Sequence, residues 1–320
     1  MAQFLITGIA GFIGSTLAHT LVEQGQDVRG IDNLSTGDLD NLADIRDSID
    51  FQQIDLRDQS ALRDVCRGVE FVLHQGALAS VPRSVKDPLT SHESNINGTL
   101  NLLLAARDAG VRRIVYAASS SAYGDQPTQP KHEGMLPMPL SPYAVQKLTC
   151  EYYIQSFHRA YGLEGVCLRY FNIFGPRQAA DSPYSGVIAQ FIFKMMAGET
   201  PTIYGDGLTS RDFTFVDNAV SANLLACQAS SQIATGRVFN IGTGKSRTLN
   251  EVYSGIADAL GFKRPPLYGP VRAGDVKHSL ASIERAQAEL GYAPRVDFRE
   301  GLEKTVAWYV EQSKRQPVNA

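Results

Sequence analysis

The chain has 320 residues, 30 basic against 33 acidic side chains (a formal charge of −3), and is 43% hydrophobic and 20% charged. That length suits a two-part α/β protein with a core large enough to need no metal or disulfide. The near-neutral charge excludes a broad nucleic-acid or anionic-membrane surface, and no apolar run is long enough to span a bilayer.

Short apolar runs alternate with helical patterns through the first half. Runs at 4–8 (FLITG), 28–32 (VRGID), 51–56 (FQQIDL), 71–77 (FVLHQGA), 113–119 (RIVYAAS) and 165–172 (GVCLRYFN) read as strands. Between them, stretches such as 99–109 place Leu102, Leu103 and Ala106 at helix spacing. Alternation of this kind predicts a parallel sheet covered on both faces, wound in a doubly wound, Rossmann-like fold. After Asn172 the texture changes: residues 175–216 are rich in Gly, Pro and Tyr, with one helix expected over 187–196. VFNIG at 238–242 returns to the sheet, TLNE at 248–251 reads as a capping box, and 300–311 is amphipathic. The expected domains are 1–173 plus 217–242 for the sheet, and 174–216 plus 243–320 for a smaller α/β lobe.

The first strand runs into TGIAGFIG, with Gly8, Gly11 and Gly14 spaced G-x-x-G-x-x-G before a helix. Glycine suits the tight turn, the close approach to a pyrophosphate and the helix–strand contact, while the helix N-terminus offers free amides to phosphate. Asp32 ends the second strand 18 residues after Gly14, about where a carboxylate takes a ribose diol. It would repel a 2′-phosphate, so NAD is expected rather than NADP. Asp55 and Leu56, closing the third strand, are placed to meet the adenine.

SPYAVQK sets Tyr143 and Lys147 four residues apart, on one face of a helix capped by Ser141 with Pro142 at its first position. Ser119, Ser120 and Ser121 follow the 113–119 strand, at the ligand end of such a sheet. A phenol near pKa ~10 is a poor base at neutral pH, and lowering it by roughly three units takes about 4 kcal/mol. One cation at ~5 Å in a dielectric of ~20 supplies on the order of 3 kcal/mol. A lysine ammonium with a positive nicotinamide ring therefore suffices, and a serine would hold the reacting oxygen.

TGIAGFIG, SSSAYGD, SPYAVQK, LRYFNIFGPRQ, IYGDGLTSRDFTFVDN and VRAGDVKHSLA together resemble the extended short-chain dehydrogenase/reductase family acting on nucleotide sugars, in particular its bacterial UDP-N-acetylglucosamine 4-epimerases. The resemblance covers nearly the whole chain, and HQGA (74–77) departs slightly from the family's usual small-residue strand end. It implies Tyr143 as base, Lys147 as its electrostatic partner and ribose ligand, and Ser119 as the main hydroxyl, with Ser120 and Ser121 as alternatives. It also implies NAD contacts from Phe12, Ile13, Asn33, Gln75, Ala77 and Tyr170. For a UDP-sugar it implies Asn172, Val187, Tyr204, Arg211, Arg272 and Asp275, with Ser80, Arg83 and Ser121 reaching the sugar. Arginine forks suit phosphate oxygens and a carboxylate suits a diol. The serine segment lacks the acid that dehydratases and decarboxylases of this family carry, so an oxidise–rotate–reduce cycle at sugar carbon 4 is expected. Small Ser279 favours N-acetylated sugars.

The competing readings are a UDP-glucose or UDP-glucuronate 4-epimerase, and a non-catalytic NAD-binding redox sensor, against which the Tyr–Lys pair stands. Cys66, Cys150, Cys167 and Cys227 show neither CxxC nor zinc spacing and read as reduced core thiols. His19, His74, His92, His132, His158 and His278 form no spaced cluster, so no metal is expected. A cytoplasmic location follows from the lack of a signal-like start. Amphipathic helices beginning near Thr90 and Ser141 are expected to pair in a homodimer, a reading taken mainly from the resemblance.

Overall fold

The computed structural model describes residues 3–180, 185–271 and 276–315. Seven parallel strands form the central sheet: β1 (Phe4–Thr7), β2 (Val28–Asp32), β3 (Asp50–Gln53), β4 (Phe71–His74), β5 (Arg113–Ser119), β6 (Glu164–Tyr170) and a last strand, Arg237–Ile241. Their order, from that last strand, is β6, β5, β4, β1, β2, β3. β1 and β4 are buried along their whole length, β5 over all but its last residue, which is why these runs are continuously apolar. The winding reverses between β1 and β4, so the crevice where ligands bind in such sheets opens at their carboxyl ends.

The helices covering the sheet start and stop where local chemistry says they should. α1 (Phe12–Glu23) follows the glycine turn. α2 (Gln59–Val65), α3 (Val81–Lys86), α4 (Pro88–His92) and α5 (Gly98–Asp108) follow in order, a π turn over Glu93–Asn97 joining α4 to α5. The helix expected near Thr90 therefore starts at Pro88, capped by Asp87. α6 (Pro142–Tyr161) has Ser141 as N-cap, proline in its first turn and left-handed Gly162 as stop. α7 (Val187–Met196) spans the expected residues.

One core lies on each face of the sheet. A third gathers Phe174, Phe191, Phe213, Phe215 and Tyr253 beneath the smaller lobe. Ala281, Ile283, Ala286, Leu290 and Tyr292 pack into the core with β1 and β6, although the sequence assigns their segment to that lobe. The lobe's strands are short and distant in sequence: Ser210–Arg211 lies between Arg247–Thr248 and His278–Ser279, and Thr202–Tyr204 pairs with Leu267–Gly269. The four cysteines are buried and unpaired. Among the described residues no helix is long and apolar enough to cross a membrane.

Candidate active site

A cleft of about 2060 Å³ runs across the carboxyl ends of the strands, and a pocket of about 280 Å³ adjoins it. Gly8, Gly11, Phe12, Ile13 and Gly14 line the start of the cleft. Gly8 has φ +69, and a Cβ there would stand 2.7 Å from the Cα of Gly76; one on Gly14 would stand 2.1 Å from the Gly8 carbonyl oxygen. Glycine at both positions lets the turn close against β4. No side chain caps α1 and its first turn carries no acid, so its leading amides are open to an anion.

The Asp32 carboxylate accepts the amides of Ala10 at 3.1 Å and Leu34 at 2.8 Å. A Cβ on Gly37 would stand 2.8 Å from its oxygen, so glycine there keeps the carboxylate uncrowded. Burial pushes the Asp32 carboxyl up, against the pull of those amides. β3 ends at Gln53, so Asp55 and Leu56 lie in the loop beyond the strand rather than closing it. The fork of Arg57 donates to Asp55 at 2.9 Å twice and Asn33 donates at 2.8 Å, which holds the carboxyl well below the usual range. Gln75, Ala77 and Tyr170 line the same wall, with Tyr170 Oη donating to Gln75 at 3.4 Å and accepting from Asn223 at 2.6 Å.

The Tyr143–Lys147 face of α6 meets the end of β5. Ser141 accepts the Ala144 amide, and Ser84 of α3 accepts the Tyr143 amide at 3.0 Å, fixing the helix start from two sides. Lys147 is buried and donates from Nζ to the Ala117 carbonyl at 2.7 Å. Burial depresses its ammonium to about 8, against the pull of Cys150 and Glu151. Ser119 accepts from both the Ser121 amide (3.2 Å) and the Ser121 hydroxyl (2.8 Å), which leaves its own proton to donate. Ser120 lines the cleft beside them. Burial pushes the Tyr143 phenol up to about 12, while Ser119 pulls it down. Burial dominates, and in this state the phenol keeps its proton at neutral pH.

The far wall comes from the short strands. Ser279 pairs with Arg211 in register, both line the cleft, and the guanidinium donates to the Ser210 carbonyl at 2.9 Å and the Lys277 carbonyl at 3.3 Å. Asn172 donates from Nδ2 to the Asp212 carbonyl at 3.1 Å. Val187 and Tyr204 line the adjoining pocket, to which Asn172 and Arg211 also belong. Ser80 spends its hydroxyl as the N-cap of α3, accepting the Arg83 amide, and both residues line the cleft. Arg272 and Asp275 lie outside the described residues.

Several groups at the site escaped the sequence reading. Asp212 is buried and accepts the Thr243 amide (2.8 Å) and hydroxyl (2.7 Å) and the amides of Gly244 (2.9 Å) and Ala281 (3.3 Å). No local signal marks it, because its partners lie far along the chain. His74 sits beneath the cleft in a fixed tautomer. Thr99 donates to the Asn95 carbonyl and so accepts from His74 Nε2, while Thr7 donates to His74 Nδ1 and accepts the Gly76 amide. Glu151 was legible in principle, one turn after Lys147. Both of its oxygens take the Arg169 fork, at 2.9 and 2.7 Å.

Residues 4–242 match the model of the NAD dependent epimerase/dehydratase family. The UDP-glucose 4-epimerase of Mycolicibacterium smegmatis is 38% identical over 97% of this chain and 99% of its own. Two solved structures each superpose with a TM-score of 0.92, covering 97% of this chain and 99% of theirs. One is the UDP-glucose 4-epimerase of Thermotoga maritima with UDP-glucose, 37% identical. The other is the UDP-N-acetylglucosamine 4-epimerase of Methanobrevibacter ruminantium in complex with UDP-N-acetylmuramic acid, 39% identical.

Proposed function

The chain belongs to the NAD-dependent epimerase/dehydratase family and is an NAD-dependent UDP-sugar 4-epimerase, and we propose that its substrates are UDP-N-acetylglucosamine and UDP-N-acetylgalactosamine. The observation that carries the choice is Ser279, set in register beside Arg211 on the substrate wall. A small side chain there leaves room for an acetamido group next to a phosphate-binding guanidinium. The UDP-glucose pair is the second reading, favoured by the equally similar relative from Thermotoga maritima.

The uncapped turn of α1 would hold the NAD pyrophosphate, Asp32 the adenosine ribose, and Tyr143 and Lys147 the nicotinamide ribose. Asn33, Asp55, Leu56, Gln75, Ala77 and Tyr170 complete that wall. When bound, NAD supplies a hydride acceptor and donor at sugar carbon 4 and a positive ring near the phenol. Lys147 and that charge bring Tyr143 down from its buried value, so that the phenolate takes the proton of the 4-hydroxyl. Ser119, supported by Ser121, donates to the same sugar oxygen. After the keto sugar turns about its diphosphate link, so that its opposite face would meet the reduced cofactor, Tyr143 returns the proton to the sugar's 4-oxygen. Asn172, Arg211, Val187 and Tyr204 hold the nucleotide end, and no net redox occurs.

A second copy of the chain covers an apolar face made by Val85, Leu89, Val145 and Tyr152, which are 64%, 68%, 47% and 55% exposed on α3, α4 and α6. Light scattering should give twice the chain mass. The substrate assignment is tested by NMR of the purified enzyme with UDP-N-acetylglucosamine, and separately UDP-glucose, without added cofactor. Appearance of the galacto epimer from the acetylated sugar supports it. Conversion of UDP-glucose alone would keep the reaction and overturn the substrate.

A further inference from the structure

Lys147 carries a charge into a buried place, where Cys150 and Glu151 pull against the burial that depresses it. It is 3% exposed, and its one hydrogen bond runs to the Ala117 carbonyl. Glu151, the acid nearest on its own helix, has both oxygens committed to Arg169. With both oxygens so committed, Glu151 acts on the ammonium through its charge alone and not by a hydrogen bond. What does face the ammonium is the ring of Tyr116 on β5, whose centroid lies 4.9 Å from Nζ; the Tyr143 ring is farther, at 6.0 Å. Tyr116 is 2% exposed and packs on His74 with ring centroids 5.4 Å apart, so its face is held in place.

The titratable groups around Lys147 are Tyr143, Cys150 and Glu151 on α6, His74 on β4, Tyr116 on β5, and Arg169 on β6 behind Glu151. Burial keeps His74 neutral and the Cys150 thiol and Tyr116 phenol protonated. In direct contact with the ammonium are one carbonyl and one aromatic face, with the Glu151 charge behind them. A desolvated cation is attracted to the negative face of an aromatic ring.

Resting on the assignment of Tyr143 and Lys147 given above, we propose that Tyr116 is a positioning residue for the reaction. Its ring face holds the Lys147 ammonium charged and aimed at Tyr143, and Lys147 in turn sets how readily the phenol gives up its proton. The phenol oxygen of Tyr116 is not needed for this; the ring is.

The test grades the ring without changing its shape. In the holoenzyme, position 116 is filled in turn by tyrosine, phenylalanine, monofluorinated phenylalanine and trifluorinated phenylalanine, since fluorine drains the ring face. Tyr143 is titrated in each by ultraviolet difference against the same background carrying Tyr143→Phe, and the pH–rate profile is recorded alongside. Tyr116→Phe should leave both close to wild type. Progressive fluorination should move the Tyr143 titration and the acid limb of the rate upward together, cutting the phenolate population at neutral pH by roughly three- to tenfold. A flat series in an enzyme whose wild-type Tyr143 signal is present overturns the role of Tyr116 alone. So does a Tyr116→Phe protein as damaged as the trifluorinated one. Absence of a Tyr143 signal in active wild-type enzyme overturns the base assignment and this inference together.

Discussion

The cofactor half and the substrate wall of the cleft are built on different principles. The cofactor half hangs from a ladder of parallel strands, and its groups come from short local stretches: Gly8 to Gly14, Asp32 to Gly37, Asp55 to Arg57. The substrate wall is assembled from two-residue strands, and beside their pairing the Asp212 carboxylate ties in the chain at 243–244 and at Ala281. Support in the first half is redundant. In the second, short strand pairs share the support with one buried carboxylate that gathers three amides and a hydroxyl. Single substitutions should therefore act differently in the two regions.

The largest effect lies where the halves meet. Tyr143→Phe removes the proton acceptor and one hydroxyl at the nicotinamide ribose but leaves the rest of the cofactor wall in place. Turnover should fall by on the order of 10³-fold, within the range for loss of a general base, while NAD stays bound. A protein that merely senses NAD would lose nothing, so unchanged turnover in the UDP-sugar assay would remove the catalytic assignment.

Next comes the wall itself. Asp212→Ala leaves the three amides and one hydroxyl that Asp212 holds without their acceptor. With buried donors costing about 1–3 kcal/mol each when orphaned, a loss of about 3 kcal/mol in stability is expected. Calorimetric affinity for UDP should drop more than about tenfold by the same reckoning, with the bound NAD content unchanged. If NAD is lost in parallel with UDP, the two halves do not act independently.

The same contrast decides what the sequence could disclose. The parallel sheet, the glycine turn, the Ser141 cap and the Tyr143–Lys147 face were legible because each is written within a few residues. The endpoints of β3 and β4 were not, since the residues beyond Gln53 and His74 keep the strands' apolar texture while turning into the cleft. Nor was the pairing of Ser279 with Arg211, separated by most of the smaller lobe. The state of Tyr143 escaped for another reason: spacing reports its partner, but only packing reports the burial that raises the phenol.

A smaller effect probes the floor of the cofactor half. His74 stays neutral when folded, its pKa depressed from 6.5 to about 3 by burial. The unfolded chain takes up that proton first, so the contribution of His74 is complete above pH 6.5 and is lost as pH falls. At pH 5 the deficit from this one group should be about 2 kcal/mol. Urea unfolding of wild type and His74→Gln at pH 7.5 and pH 5 isolates it. The variant should be less stable at both values but lose about 2 kcal/mol less between them. Equal slopes would mean that His74 is protonated in the folded protein, and the tautomer read from Thr7 and Thr99 would be wrong.

The smallest expected effect tests redundancy directly, by setting Asp55 against Asp212. Asp55 accepts the Arg57 fork, the Arg57 amide and the Asn33 amide group. Arg57→Ala removes only the fork. The guanidinium is half exposed, where an ion pair contributes about 0–1 kcal/mol, and the backbone amide and Asn33 still orient the carboxylate. NAD affinity, measured by fluorescence after stripping and readdition, should therefore change less than about fivefold. A large loss would show that the adenine end depends on one contact as the substrate wall depends on Asp212. The two halves would then differ in how far apart their partners lie in sequence, and not in how many partners each carboxylate can spare.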